Sequence, residues 1–351
     1  MIVSTTLTGS NAEIIGDALR SVIDQVDRCL VIDTGARDDT LAVAAKIAGE
    51  QLIVREYPWT NDFSAARNFA LAAAAELSAE FAFTLDTDER MLFDKGFDLR
   101  ARLAKTKANV LLVSYEDGSY AKERIVRLPA KVSWKGPTHE VLDGQRRGET
   151  EVLTGVRFTE LRKDAEAAKK KFERDVRVLR EHTRAHPDDP RWHYYLGASL
   201  HDLKRYDEAI EAFRACAALR GWTEEGAWAC YRAAECHCAL ERWNDAVDVC
   251  AIGLSIRPAT AELAWLAGWA SYKAGRYQDA IAWSKMAIAN GLYEGAGKRY
   301  ERIGFRHAPG LYEGPYDVLR WSFAALGEAP AARAAERDWI AAKRLRERAR
   351  R

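Results

Sequence analysis

The run Phe83-Thr84-Leu85-Asp86-Thr87-Asp88-Glu89 passes from apolar to acidic within the length of one strand. Side chains alternate between the faces of a strand, so Asp86 and Asp88 are expected to point the same way. Two carboxylates at a strand's carboxyl end suit a hard dication, Mg²⁺ or Mn²⁺. A cation half-coordinated by protein is placed to hold a diphosphate. Alone, such an acidic triplet reads as a solvated loop; its weight comes from the segments around it.

Upstream, apolar runs and helical spacings alternate. Strands are expected at Ile2–Leu7, Cys29–Asp33, Gln51–Glu56 and Glu80–Leu85, with helices at Asn11–Gln25, Asp39–Ala48 and Phe63–Leu77. Continuous apolar strands joined by helices imply a parallel sheet covered on both faces. Beyond Asp88 the alternation lapses, and Val110–Tyr115, Arg124–Leu128 and Val152–Phe158 read as further, partly antiparallel strands.

From about Lys163 internal repetition replaces the β signal. Arg205-Tyr206-Asp207-Glu208-Ala209-Ile210 returns as Arg242-Trp243-Asn244-Asp245-Ala246-Val247 and as Arg276-Tyr277-Gln278-Asp279-Ala280-Ile281, spaced by 37 and then 34 residues. Gly197, Ala234 and Gly268 keep the same spacing and are expected to let paired helices approach closely. The fold class is therefore α/β plus all-α: a catalytic-type domain over 1–162 and a helical domain over 163–351. Repeats are expected over about 187–290, a joining helix over Lys163–His186, and closing helices at Asp317–Leu326 and Ala331–Arg351. Stacked hairpins present a concave surface for a peptide or partner; buttressing the first half, or pairing into a homo-oligomer, is the plainer use.

The chain has 351 residues, 48% of them hydrophobic, and a formal net charge of +1. Two cores are affordable, and no polyanion-binding surface is predicted, so nucleic acid is not an expected partner. The basic end, Arg344 to Arg351, reads as a solvated helix end or as a contact with anionic lipid. Met1–Leu7 reads as a strand rather than a signal peptide, and no run is long enough to span a bilayer. Five of the six cysteines fall in the helical half, without the paired spacing of a zinc site. Reduced core thiols in a cytoplasmic protein are the expectation.

Four further groups bear on chemistry. Asp33 closes a strand where open α/β sheets bind ligands, and can accept from the imide of a uracil. Gly35 permits the turn after it, and Asp38 suits a helix cap. Arg67 lies one turn into a helix capped by Asp62 or Ser64, where anions are already attracted. Trp134-Lys135-Gly136-Pro137-Thr138-His139-Glu140 makes a turn followed by a metal-capable imidazole and a candidate base. Singly these are an ordinary cap, a surface arginine and a solvated turn; together they fit a nucleotide-sugar site.

These residues resemble an inverting GT-A glycosyltransferase of the family 2 type, which includes lipopolysaccharide-core and peptide-modifying enzymes. The likeness is to the bacterial subgroup fused to tetratricopeptide repeats. It rests on Val31-Ile32-Asp33-Thr34-Gly35 with Asp38 and Thr40, Asp62-Phe63-Ser64-Ala65-Ala66-Arg67-Asn68, Leu85-Asp86-Thr87-Asp88-Glu89 and Thr138-His139-Glu140. In the repeats it rests on Pro187-Asp188-Asp189-Pro190-Arg191 and Gly221-Trp222-Thr223-Glu224-Glu225.

The resemblance implies a Rossmann-like GT-A domain that moves a hexose from a UDP-sugar to a peptide, protein or glycan acceptor. It implies Thr5, Asp33, Gly35, Arg67, Asp86 and Thr87 around the donor. Asp86, Asp88 and His139 would hold Mn²⁺ or Mg²⁺, and Glu140, His139 and Asp88 would serve the reaction. Glu116 or Asp117 would be the substitute base. The sequence departs from the pattern at Asn11-Ala12-Glu13, at Ala36-Arg37, and at Thr87 in place of an alanine. A sugar nucleotidyltransferase would need a glycine-rich basic loop near Thr8-Gly9-Ser10, which is absent there. A non-catalytic nucleotide-binding scaffold is the other competing reading.

Overall fold

The apolar alternation of the first half builds one mixed sheet. The computed structural model describes residues 1–146, 148–162, 164–295 and 304–349, without the side chains of 292–295 and 349. It divides into two compact units, Met1–Ala165 and Glu166–Arg351. Lys163, Arg350 and Arg351, which fall within the expected joining and closing helices, lie outside the described residues.

In the first unit the strands are β1 (Ile2–Thr8), β2 (Arg28–Asp33), β3 (Leu52–Glu56), β4 (Phe81–Thr84), β5 (Glu89–Phe93), β6 (Val110–Tyr115), β7 (Ala121–Arg127), β8 (Ser133–Lys135), β9 (Val141–Asp143) and β10 (Thr150–Glu160). Eight form one sheet in the order β3-β2-β1-β4-β7-β6-β10-β5, and β8 and β9 pair separately. The β3-β2-β1-β4 segment is parallel, β7 is antiparallel to both its neighbours, and β10 is parallel to β6. The period of two decides which core each residue enters. Phe81, Phe83 and Leu85 join a cluster with Ile15 and Leu19 of α1 (Ala12–Arg20) and Ala44 of α2 (Thr40–Ala48). Ala82, Leu30 and Ile32 face the other way, onto Ala70, Leu71 and Ala74 of α3 (Phe63–Glu76), with Trp134 and Leu142.

Several elements differ from expectation. The first helix stops at Arg20 rather than Gln25. The Ser21 hydroxyl donates to the Ala18 carbonyl and accepts the Met91 N–H, replacing helix hydrogen bonds with a tie to β5. Strands β5, β8 and β9 were not expected. Strand β4 ends at Thr84, so Asp86 and Asp88 are not on a strand. They sit in a tight turn in which the Glu89 N–H donates to the Asp86 carbonyl at 3.0 Å, and strand alternation does not set their directions.

The second unit is helical: α4 (Leu99–Leu103) belongs to the sheet unit, and α5 (Ala165–Ala185) to α14 (Ala329–Ala349) follow. Three hairpins carry the repeat: α6 (Pro190–Asp202) with α7 (Tyr206–Ala218), α8 (Thr223–Ala239) with α9 (Trp243–Ile256), and α10 (Ala261–Lys273) with α11 (Tyr277–Gly295). Each first helix closes on a left-handed residue, Lys204, Glu241 or Gly275. The next N–H reaches back five residues, Arg205 to Leu200, Arg242 to His237 and Arg276 to Ser271. The helices do approach at the small residues: a methyl on Gly197 would stand 2.7 Å from the Phe213 ring, and one on Gly268 2.9 Å from Ser284 Oγ. Cys216, Cys230, Cys236, Cys238 and Cys250 are free, buried and part of this core. Among the described residues no helix is long and apolar enough to cross a membrane.

Candidate functional site

The start of α3 explains why Phe63 to Asn68 reads as a block. Asp62 caps the helix, accepting from the Ala65 N–H at 2.9 Å and from the Ser64 hydroxyl at 2.7 Å. The Phe63 N–H donates to the Pro137 carbonyl at 2.9 Å, tying the helix start to the Gly136–Glu140 loop. Asn68 clamps β8 from both sides: Nδ2 donates to the Trp134 carbonyl at 2.9 Å, and Oδ1 accepts the Trp134 N–H at 2.8 Å.

With the helix so fixed, Arg67 has one place to go. Its Nη2 donates to Asp86 Oδ1 at 2.8 Å, its Nε donates to Glu140 Oε1, and its guanidinium carbon lies 5.3 Å from the centre of the Trp134 ring. One planar group thus joins the acidic turn to the His139-Glu140 loop. The other Asp86 oxygen accepts from Arg124 Nη2 at 3.1 Å. Arg124, on β7, also donates to Glu89, and Lys122 donates to Glu89 at 3.1 Å and to Glu160.

Electrostatics follow from burial and these pairings. Burial opposes ionisation of Asp86, but the charges of Arg67 and Arg124 outweigh it and hold its carboxyl well below the usual range. Glu89 is fully buried, and there burial wins: its carboxyl is pushed up despite Arg124. Burial disfavours the Arg67 cation too, yet Asp86 and Glu140 keep it charged.

Asp33 closes β2 and accepts the N–H groups of Gly35 and Ala36 at 2.9 and 2.7 Å; Gly35 has φ +115°. Since β1 lies between β2 and β4, Asp33 and the turn that carries Asp86 stand on either side of β1 at the carboxyl edge of the parallel strands. Asp38 accepts from the Thr40 N–H and, at 3.1 Å, from the Ala12 N–H, joining the starts of α2 and α1. Thr5 is buried within β1, in register with Leu30 and Thr84, three residues short of the strand's end. Thr87 is in the turn, and its carbonyl accepts from Arg90. The Asp88 carbonyl accepts the Leu161 N–H at 2.8 Å, anchoring the turn to the end of β10. His139 has φ +51°, a left-handed backbone that costs a non-glycine residue on the order of 1–3 kcal/mol. Glu116 and Asp117 are exposed at the β6–β7 tip, and the Ser119 hydroxyl and N–H hold the Asp117 carboxyl low.

The structure therefore brings Arg67, Asp86 and Glu140 together and sets Asp88 and His139 beside them in the chain. Among the described residues no group of three or more His, Cys, Asp or Glu side chains converges as a metal site. A dication of the Mg²⁺ type takes one or two carboxylates and fills its shell from phosphate and water; in the acidic turn both Asp86 oxygens are engaged by arginines. Sequence reasoning missed Arg124, Lys122 and Glu160, and gave Glu89 no role beyond its place in the acidic run. The available signal was Lys122 and Arg124 two apart, two cations on one face of a strand that the sheet buries.

The model of glycosyl transferase family 2 matches residues 2–183, and a tetratricopeptide-repeat model matches residues 190–221. A TPR repeat-containing protein of Synechococcus elongatus is 37% identical over 138 residues, 38% of this chain and 33% of that protein. The SPbeta prophage-derived glycosyltransferase SunS of Bacillus subtilis is 27% identical over 209 residues, 55% of this chain and 47% of SunS. The chain thus spans less than half the length of these curated relatives. Among solved structures, MamA of Desulfovibrio magneticus RS-1 is 17% identical, covering 52% of this chain and 96% of its own, with a TM-score of 0.38.

Proposed function

This chain belongs to glycosyl transferase family 2, and on that premise we propose that it is a metal-dependent inverting glycosyltransferase. It moves a hexose from UDP-glucose or a UDP-N-acetylhexosamine to a peptide, protein or glycan acceptor. Residues 1–162 are the catalytic domain, and 163–351 a repeat domain that aids acceptor or partner binding. The observation that carries this reading is the Arg67 guanidinium held between Asp86 and Glu140 at the carboxyl edge of a parallel sheet.

In this reading Asp33 and Gly35 receive the uracil end of the donor, and Asp86, fixed by Arg67 and Arg124, contacts its ribose or the metal shell. Asp88 would hold Mn²⁺ or Mg²⁺, with His139 as a second ligand. When bound, the dication neutralises charge on the departing diphosphate. Glu140 takes the proton of the acceptor hydroxyl or thiol as that atom bonds to the anomeric carbon. The bond from that carbon to the diphosphate oxygen breaks on the opposite side, which inverts the centre. Arg67 sets the base relative to the donor and adds positive charge where the leaving group departs. A cytoplasmic location accords with six free, buried cysteines.

The test is a donor screen by mass-detected UDP release with Mn²⁺ or Mg²⁺. One UDP-hexose is expected to turn over, with loss of activity on chelation and in Asp88→Ala. Undiminished transfer by metal-stripped Asp88→Ala protein rejects the metal site. Failure to bind any UDP-sugar by calorimetry rejects the donor.

A further inference from the structure

The first helices of the three repeats carry a ring at one repeat position: Tyr194, Tyr231 and Trp265, spaced by 37 and 34 residues. Against them lies a short non-helical piece of the same unit, Gly304–His307, bent at Gly304 and extended at His307. Its burial alternates, with Gly304 and Arg306 exposed and Phe305 and His307 partly buried. Phe305 and His307 thus turn toward the helices and Arg306 toward solvent. The Phe305 ring lies 5.1 Å from Tyr194, 5.7 Å from Trp222 and 5.9 Å from Trp228, centre to centre. The His307 ring stacks on Trp265 at 4.8 Å and sits 6.0 Å from Tyr231.

The backbone of this piece is held separately from its side chains. Glu224 Oε1 accepts the N–H groups of both Gly304 and Phe305 at 3.0 Å, and Glu262 Oε1 accepts that of His307 at 3.2 Å. Both carboxylates are buried. Main-chain N–H groups are common to every peptide, whereas two ring slots two residues apart are selective. This division of labour is how grooves bind extended peptides.

We propose that the face formed by α6, α8 and α10 is a recognition site for a peptide with rings two positions apart. Gly304–His307 fills this site in cis, and an outside peptide enters by displacing it. Because a tethered segment competes at an effective concentration on the order of millimolar, the intact chain binds outside peptide weakly. The proposal stands independently of sugar transfer.

The probe is a fluorescein-labelled hexapeptide with the sequence of residues 304–309, Gly-Phe-Arg-His-Ala-Pro, titrated by anisotropy into the full chain. Phe305→Ala/His307→Ala protein is expected to bind it at least about tenfold more tightly than the unmodified chain, because the tethered competitor has lost its rings. Adding Trp228→Ala, or replacing phenylalanine by alanine in the peptide, is expected to remove that gain. Equal binding to the unmodified and doubly substituted chains, or none to either, overturns the proposal. Should the double variant fail to fold, hydrogen exchange on the unmodified chain decides. Excess peptide must speed exchange of the Phe305 and His307 amides, and unchanged protection overturns the proposal.

Discussion

Arg67 and Asp86 meet at 2.8 Å across 19 residues of sequence, joining the start of the second turn of α3 to the acidic turn after β4. The same guanidinium holds Glu140, so the spacing between a donor-side carboxylate and a candidate base is set by one side chain. Lysine is a point charge and cannot span both. Arg67→Lys is expected to lower UDP-sugar turnover about tenfold or more while the fold survives. Arg67→Met leaves two carboxylates without their cation and is expected to cost about 3–5 kcal/mol in urea unfolding. Full activity in Arg67→Lys would show that the bridge does not position the site.

The pairs with Arg67 and Arg124 also fix a pH dependence. Asp86 has a folded pKa below its unfolded value of about 3.9, so its stabilisation is complete above that pH and fades as pH falls through the folded value. Glu89 is raised, so its contribution is present below an unfolded value of about 4.3 and is lost as pH rises through the folded one. Asp86→Asn is therefore expected to be clearly less stable than the unmodified chain at pH 7, with the gap narrowing in acid. Glu89→Gln is expected to gain on the unmodified chain as pH rises. Urea midpoints across pH read both slopes, and parallel curves would contradict them.

The sequence made the parallel strands legible because they are short, largely continuous apolar runs separated by helical spacings. The helical repeat was legible because alanine, glycine and aromatic positions recur at fixed spacing. What escaped was set by tertiary pairing. Strand β5 begins at Glu89, inside a segment whose charges suggest a loop, and it is held in the sheet by pairing with β10, about seventy residues downstream in sequence. Asp86 carries the acidity of a metal ligand, yet both its oxygens face arginines, one of them from β7. The spacing of Lys122 and Arg124 marks two cations on one face of β7 but does not reveal that Arg124 reaches Asp86.

His139 offers a separation of strain from side-chain function. Its φ of +51° is natural for glycine and costly for histidine. His139→Gly relieves the backbone and removes the imidazole. Thermal stability is expected to hold within a few degrees, since the relieved strain, on the order of 1 kcal/mol, offsets lost contacts. UDP-sugar turnover and its dependence on Mn²⁺ concentration are expected to fall together. If turnover survives, the imidazole has no part in the reaction.

Two glycines in the repeats test whether close approach or helix propensity governs them. Alanine is the better helix former by about 1 kcal/mol, and on that ground either substitution should stabilise. At Gly226 the added methyl would meet Ile256 Cγ2 at 3.6 Å, an ordinary contact, so Gly226→Ala is expected to raise the melting temperature or leave it unchanged. At Gly197 the methyl would fall 2.7 Å from two atoms of the fully buried Phe213 ring, which has no room to withdraw. Overpacking of this kind costs about 1–3 kcal/mol and exceeds the propensity gain, so Gly197→Ala is expected to lower the melting temperature. Pairing it with Phe213→Leu is expected to recover part of the loss, because the smaller side chain vacates the space the methyl needs. A stabilising Gly197→Ala would mean that the α6–α7 hairpin does not pack at the separation its small residue permits.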